Sequence, residues 1–120
     1  MTAETKDLTA FLTHINRALT EVEFEQTMAV IEHNYDYTPT AFKNGDTENE
    51  AGTNAGSCKI FAFAQLNNLS ESTTLALFGK YYREDVLGNP EGDDHANIRN
   101  FIEYGWNGIK FDGEALTAKA

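Results

Sequence analysis

The chain has 120 residues, the size of a single domain, and at this length it can bury well over half of its unfolded surface. Hydrophobic residues at 41% and aromatics at 12% exclude a disordered chain. Nine basic against 19 acidic side chains leave a net charge of −10, a surface that repels nucleic-acid phosphates and anionic lipid, so neither is an expected partner.

From the N-terminus, Leu8, Phe11, Leu12, Ile15 and Leu19 recur on one face of a helix predicted over roughly Glu4 to Leu19. No basic flank leading into an apolar segment precedes it, so no general secretory signal is expected, and no apolar run approaches the roughly 20 residues of a membrane span. Thr20-Glu21-Val22-Glu23 reads as a capping box for a second helix to about Asn34, with Phe24, Met28 and Ile31 inward. The short linker favours an antiparallel helical hairpin. Tyr35-Asp36-Tyr37-Thr38 alternates like a short strand and ends at Pro39.

The stretch from Thr38 to Leu66 organises the rest. Its first half has no hydrophobic period and reads as a polar loop, with Asn44-Gly45 as a turn pair. Its second half is the most apolar run in the chain. Ser57 is the predicted cap of a central helix carrying Ile60, Phe61, Phe63, Ala64 and Leu66, closed by Asn67-Asn68. Ser70 caps a further helix with Leu75, Phe78 and Tyr82 inward, predicted to run to Leu87 before Gly88. After an acidic turn, Asp94 is the predicted cap of a last helix with Ile98, Phe101 and Ile102 inward. Gly108 to Phe111 is a second short strand, expected to pair with Tyr35–Thr38, and Ala115–Ala120 is expected to fray. The expected fold is mainly α within the α+β class: one domain over residues 1–120, about five helices around a central apolar helix, and at most a small two-stranded antiparallel sheet.

Chemistry concentrates where the polar loop meets the central helix. Cys58 is the sole cysteine, which excludes an internal disulfide and fits a reducing compartment. Near a helix N-terminus and beside Lys59 its thiol pKa would fall, and His95 could act as its base; Cys58 and His95 are therefore the candidate catalytic pair. Burial as a small core residue is the weightier reading of a lone cysteine. Gly52 to Lys59 lacks the Gly-Lys-Ser/Thr ending and preceding strand of a phosphate loop. Asp46-Thr47-Glu48-Asn49-Glu50 lacks the glycine and final glutamate of a calcium loop. Asp93-Asp94-His95 points its three side chains in different directions. No metal and no cofactor is expected. Arg99, one helical turn beyond His95, could clamp an anion, though pairing with a nearby acid is the simpler fate.

The segments Asn54-Ala55-Gly56-Ser57-Cys58-Lys59-Ile60-Phe61, Phe78-Gly79-Lys80-Tyr81-Tyr82-Arg83, Asp94-His95-Ala96-Asn97-Ile98-Arg99-Asn100-Phe101 and Gly105-Trp106, with Asn44-Gly45, together resemble the HopJ type III effector family. The resemblance spans about Phe11 to Leu116. It implies a small bacterial protein, named after effectors that some plant pathogens inject into host cells, and it implies no reaction. Residence in the bacterial cytoplasm and delivery by a type III system are both compatible with it.

The polar positions carrying the resemblance fall at Asn44–Lys59 and His95–Arg99, and they are expected to meet and line one pocket. The leading expectation is a non-enzymatic domain binding a small polar ligand or a host or bacterial protein partner through Asn49, Asn54, Ser57, Lys59, Asn97 and Arg99. The alternative is an enzyme using Cys58 and His95. A third reading is an interaction module presenting Tyr81, Tyr82, Tyr104 and Trp106.

Overall fold

The apolar run around Phe61 becomes helix α3 (Ala55–Leu66), and the computed structural model wraps the other elements around it. The structure describes residues 8–17, 21–92 and 95–119. Cys58, Ile60, Phe61, Ala62, Phe63 and Ala64 of α3 are all buried, as a helix apolar on nearly every side requires. Phe61 sits at the centre, its ring within 4.9 Å of Phe101 and 5.6 Å of Phe78, measured between centroids.

Helix α1 (Leu8–Arg17) turns Phe11 and Ile15 inward, with Phe11 against Phe63. Glu4–Asp7, Leu19 and the predicted cap Thr20 lie outside the described residues. Helix α2 (Phe24–Asn34) is capped by Glu23, whose N–H donates to Gln26 Oε1 at 2.9 Å, so the capping motif sits three residues later than predicted. Val30 and Ile31 are buried, and the buried Thr27 hydroxyl donates to the Leu77 carbonyl.

The expected strand pairing is wrong. Strand β1 (Tyr35–Tyr37) pairs antiparallel with the C-terminal strand β5 (Leu116–Ala118), Tyr35 opposite Ala118. The tail therefore does not fray there. Ala115 and Leu116 are core residues, and the Lys119 N–H donates to the Asn34 carbonyl at 3.0 Å. Strand β4 (Ile109–Phe111) pairs instead with β2 (Phe42–Asn44), which also pairs with β3 (Thr47–Asn49) to make a second, three-stranded antiparallel sheet. Stacking of Phe42 on Phe111 at 5.3 Å helps set this register. The middle of the expected loop, Phe42 to Asn49, is thus a hairpin. Gly45 takes the first position of its two-residue turn at φ +61°, a conformation that suits glycine.

Helix α4 (Glu71–Ala76) starts at the predicted cap, the Thr73 N–H donating to Ser70 Oγ. It does not run to Leu87. Gly79, at φ +64°, breaks it where a Cβ would lie 2.6 Å from the Phe24 nitrogen. The chain resumes as a π-helix over Tyr81–Val86, a widened turn that recurs at functional sites. Helix α5 (Ala96–Tyr104) follows the cap residue His95, and Asp94 lies outside the described residues. Gly105 ends α5, and a 3-10 turn (Gly105–Gly108) leads into β4. The described residues form an α+β fold of five α-helices, one π-helix and two small antiparallel sheets, larger in sheet than the sequence suggests.

Candidate functional site

Two helices begin beside one cavity. Helix α3 starts after Asn54, not at Ser57, which is the third residue inside it. Asn54 stands at φ 51° and His95, the cap of α5, at φ 52°. This left-handed conformation is uncommon outside glycine, and Asn and His are among the residues that tolerate it. The Asn54 carbonyl accepts the Cys58 N–H and the His95 carbonyl accepts the Arg99 N–H, so each cap completes its first helical turn. Asn54, Ser57, His95 and Asn97 share the lining of a cavity of about 430 Å³, joined by Thr47 of the hairpin. Four of the predicted residues, from two distant segments, do meet.

His95 Nε2 lies 3.1 Å from Asp85 Oδ2, and its ring packs 5.4 Å from the Tyr81 ring. Both partners come from the π-helix, a contact that helical periodicity could not have foretold. Phe24, Phe78, Tyr81 and Ile98 form the apolar side of the cavity.

Behind the cavity lies a network of asparagines. Asn44, Asn49 and Asn97 are all buried. Asn44 Nδ2 donates to both the Asn97 carbonyl and Asn97 Oδ1; Asn49 and Asn97 exchange side-chain hydrogen bonds at 3.1 Å. Asn54 Nδ2 donates to Asn49 Oδ1 at 2.7 Å, and Asn100 Nδ2 to Thr47 Oγ1 at 2.7 Å. Amides that both donate and accept can close such a ring without burying a charge. The network holds the hairpin, the start of α3 and the start of α5 together, and so holds the cavity walls in place. Asn49 serves this network and does not line the cavity. Asn44 and Thr47 fall within the Asn44–Lys59 span expected at the pocket without being singled out as binding residues, and sequence reasoning missed Asp85, Phe24 and Tyr81 as neighbours of the site.

The remaining candidates lie elsewhere. Cys58 is 1% exposed, its Sγ donating to the Thr40 carbonyl at 3.6 Å and facing Tyr37, and it is absent from the cavity that His95 lines. Burial pushes the thiol up from its ordinary value, outweighing the opposite pulls of Tyr37, the Thr40 contact and Lys59. The fourth helical position leaves the backbone N–H of Cys58 bonded within the helix. Lys59 reaches Glu32 at 3.5 Å and lies over the Tyr37 ring. Arg99 donates to the Pro90 carbonyl at 3.2 Å and so ties α5 to the 89–92 turn. Tyr81 and Tyr82 are half-buried, the Trp106 indole donates to the Leu69 carbonyl, and the Tyr104 hydroxyl donates to Asp46 Oδ2, which pushes Tyr104 up to about 12.

A buried, protonated thiol makes a direct prediction. Iodoacetamide at pH 8 should alkylate native Cys58 at least about a hundredfold more slowly than the urea-unfolded chain. Because the folded pKa stands above the unfolded value of roughly 8.5, folding favours the protonated thiol. That contribution is intact below the unfolded pKa and fades as pH rises through the folded one. Alkylation of the native protein at the free-thiol rate would overturn this.

A second cavity of about 520 Å³ lies between α3 and β5, walled by Tyr35, Gln65, Leu66 and Leu116, and it holds none of the candidate residues. No helix among the described residues is long and apolar enough to cross a membrane.

Residues 8–116 match the family model described as HopJ type III effector protein, so the chain belongs to that family. A solved structure, titled as the crystal structure of unknown function protein VPA0580, is 58% identical over 94% of each chain and superposes with a TM-score of 0.93. No curated protein is significantly similar to the chain.

Proposed function

We propose that this HopJ-family domain is a non-enzymatic, effector-like protein that binds a small polar ligand in the cavity between the starts of α3 and α5. One observation carries the reading. Polar side chains from three separate segments (Thr47, Asn54 with Ser57, His95 with Asn97) converge on one cavity of ligand size that also has an apolar lining. The left-handed caps are a further support, since strained non-glycine residues gather at functional sites. Membership of a family described as type III effectors supports production in the bacterial cytoplasm and delivery into a host cell. The rival reading of Cys58 and His95 as nucleophile and base has less support, because the thiol is buried, held protonated and outside the cavity.

Thermal-shift screening of small polar compounds tests the proposal. A ligand present at a hundred times its Kd should stabilise the fold by about 2.7 kcal/mol. Ser57→Ala and Asn54→Gly, the second keeping the left-handed backbone accessible, should abolish most of that shift. Hits whose effect survives both substitutions would place the ligand elsewhere and sink the assignment.

A further inference from the structure

The walls of the cavity limit what can enter it. This inference rests on reading the cavity as a ligand site. No Lys, Arg, Asp or Glu stands among the described residues that line it, and the imidazole of His95 is already matched by Asp85. A cation would lose hydration there and face the positive ends of α3 and α5, and an anion would gain only their partial charge and no charged side chain. A wholly apolar ligand would cover amides and hydroxyls and leave them unpaired.

The two sides have different chemistry. On one, the Phe24 and Tyr81 rings meet edge to face at 5.2 Å, with Phe78 and Ile98 beside them. Gly56 makes room for this wall, since a Cβ there would sit 2.8 Å from Phe24 Cζ. On the other side, the asparagine network leaves hydrogen-bonding capacity unused. Asn97 Oδ1 accepts two bonds, but Nδ2 spends one of its two hydrogens, on Asn49. Asn54 donates through Nδ2 and keeps its carbonyl oxygen, and the Ser57 hydroxyl makes no side-chain hydrogen bond among the described residues. Two donors (the second Nδ2 hydrogens of Asn54 and Asn97), one acceptor and one group able to be either thus remain beside an aromatic face.

We propose that the cavity takes an uncharged planar heterocycle bearing a cyclic amide or a carboxamide edge. Its ring lies against Phe24 and Tyr81, and its edge bonds to Asn54, Ser57 and Asn97. Aromatic side chains accept a flat ring at little conformational cost, and an amide edge supplies the complementary donor and acceptor. A non-planar polyol would satisfy the polar side and lose the aromatic one.

The test is a two-dimensional ¹H–¹⁵N NMR titration of the full chain with uracil, nicotinamide, nicotinate and glucose. Nicotinate differs from nicotinamide mainly in its negative charge, and glucose is neutral but not flat. The expected result is that uracil or nicotinamide moves the amide signals of Asn54, Ser57, His95 and Asn97. Nicotinate should bind about tenfold more weakly than nicotinamide, and glucose should move none of these signals. Phe24→Leu and Tyr81→Leu should each weaken ring binding by about fivefold to tenfold; using both guards against one failing to fold. If glucose or nicotinate moves these signals while the neutral rings do not, the cavity remains a ligand site and the ring assignment is overturned. Ring binding unchanged in both leucine variants overturns it as well. If no probe moves the signals, or they move only around Gln65 and Leu66, both the ring assignment and the site fail.

Discussion

Replacing Phe61 by alanine should destabilise the fold by about 3–5 kcal/mol, the range for truncating a fully buried phenylalanine. Phe61 is 0% exposed and its ring touches four others: Phe42, Phe78, Phe101 and Trp106. These come from β2, from the turn after α4, from α5 and from the 3-10 turn, so one truncation opens a void bordered by most of the fold. The surrounding rings are themselves packed and can close little of that void. Urea denaturation checks this. The midpoint should fall while the slope stays the same, as expected for lost stability without a change in the surface exposed on unfolding. A loss below about 1 kcal/mol would mean that the rings can repack, and that Phe61 is not the centre of the core.

The second large effect should come from a polar residue. Asn97→Ala should cost about 3 kcal/mol, because it leaves one Nδ2 hydrogen of Asn44 and one of Asn49 without an acceptor. The side chain of Asn97 accepts from Asn44 and Asn49 and donates back to Asn49, while Asn44 Oδ1 already lacks a partner among the described residues. Each newly unpaired buried group costs about 1–3 kcal/mol, partly relieved if water enters. The measurement is the same denaturation, with Asn49→Ala and the double variant alongside. The two substitutions share the Asn49–Asn97 bonds, so the double variant should cost clearly less than the sum of the singles. Simple additivity would show that the network acts as independent pairs. Asn97→Ala should also raise hydrogen exchange in the Phe42–Asn49 hairpin, since α5 then holds it only through Asn100 and the residue-97 carbonyl.

These two residues mark how far the sequence could be read. Phe61 announces itself, because an unbroken apolar stretch after a Gly- and Asn-rich segment has few places to go except the middle of a helical domain. Amphipathic spacing likewise located α1, α2 and α5 to within a few residues, and Ser70 was recognisable as a cap by its chemistry. Family membership was legible from short combinations such as Gly-Ser-Cys-Lys and His-Ala-Asn-Ile-Arg-Asn-Phe. The meeting of Asn54 and Ser57 with His95 and Asn97 was anticipated from where polar residues cluster, not from any local geometry.

What local pattern could not supply were the partners. Three-residue strands bury one or two side chains each, too few for alternation to show, so β2 and β3 passed for loop and β1 was matched to the wrong partner. Only the stacking of Phe111 on Phe42 and the burial of Leu116 against the core select the actual pairing. Gly79 breaks the helix before Tyr81 because the backbone of Phe24 passes close by, a contact 55 positions away along the chain. A similar separation, 53 positions, hides Asn44 behind Asn97, and the π-turn brings Asp85 to His95 from 10 positions away. Cys58, Lys59 and Arg99 looked reactive from their neighbours in sequence, and the tertiary structure turned each toward a carbonyl, a carboxylate or a ring elsewhere. By itself, then, the sequence determined the helices, the central apolar segment and the family, because hydrophobic period and capping chemistry are local. Strand partners, the asparagine network and the membership of the cavity were decided only in three dimensions, where burial and hydrogen-bond satisfaction act between residues that no local pattern relates.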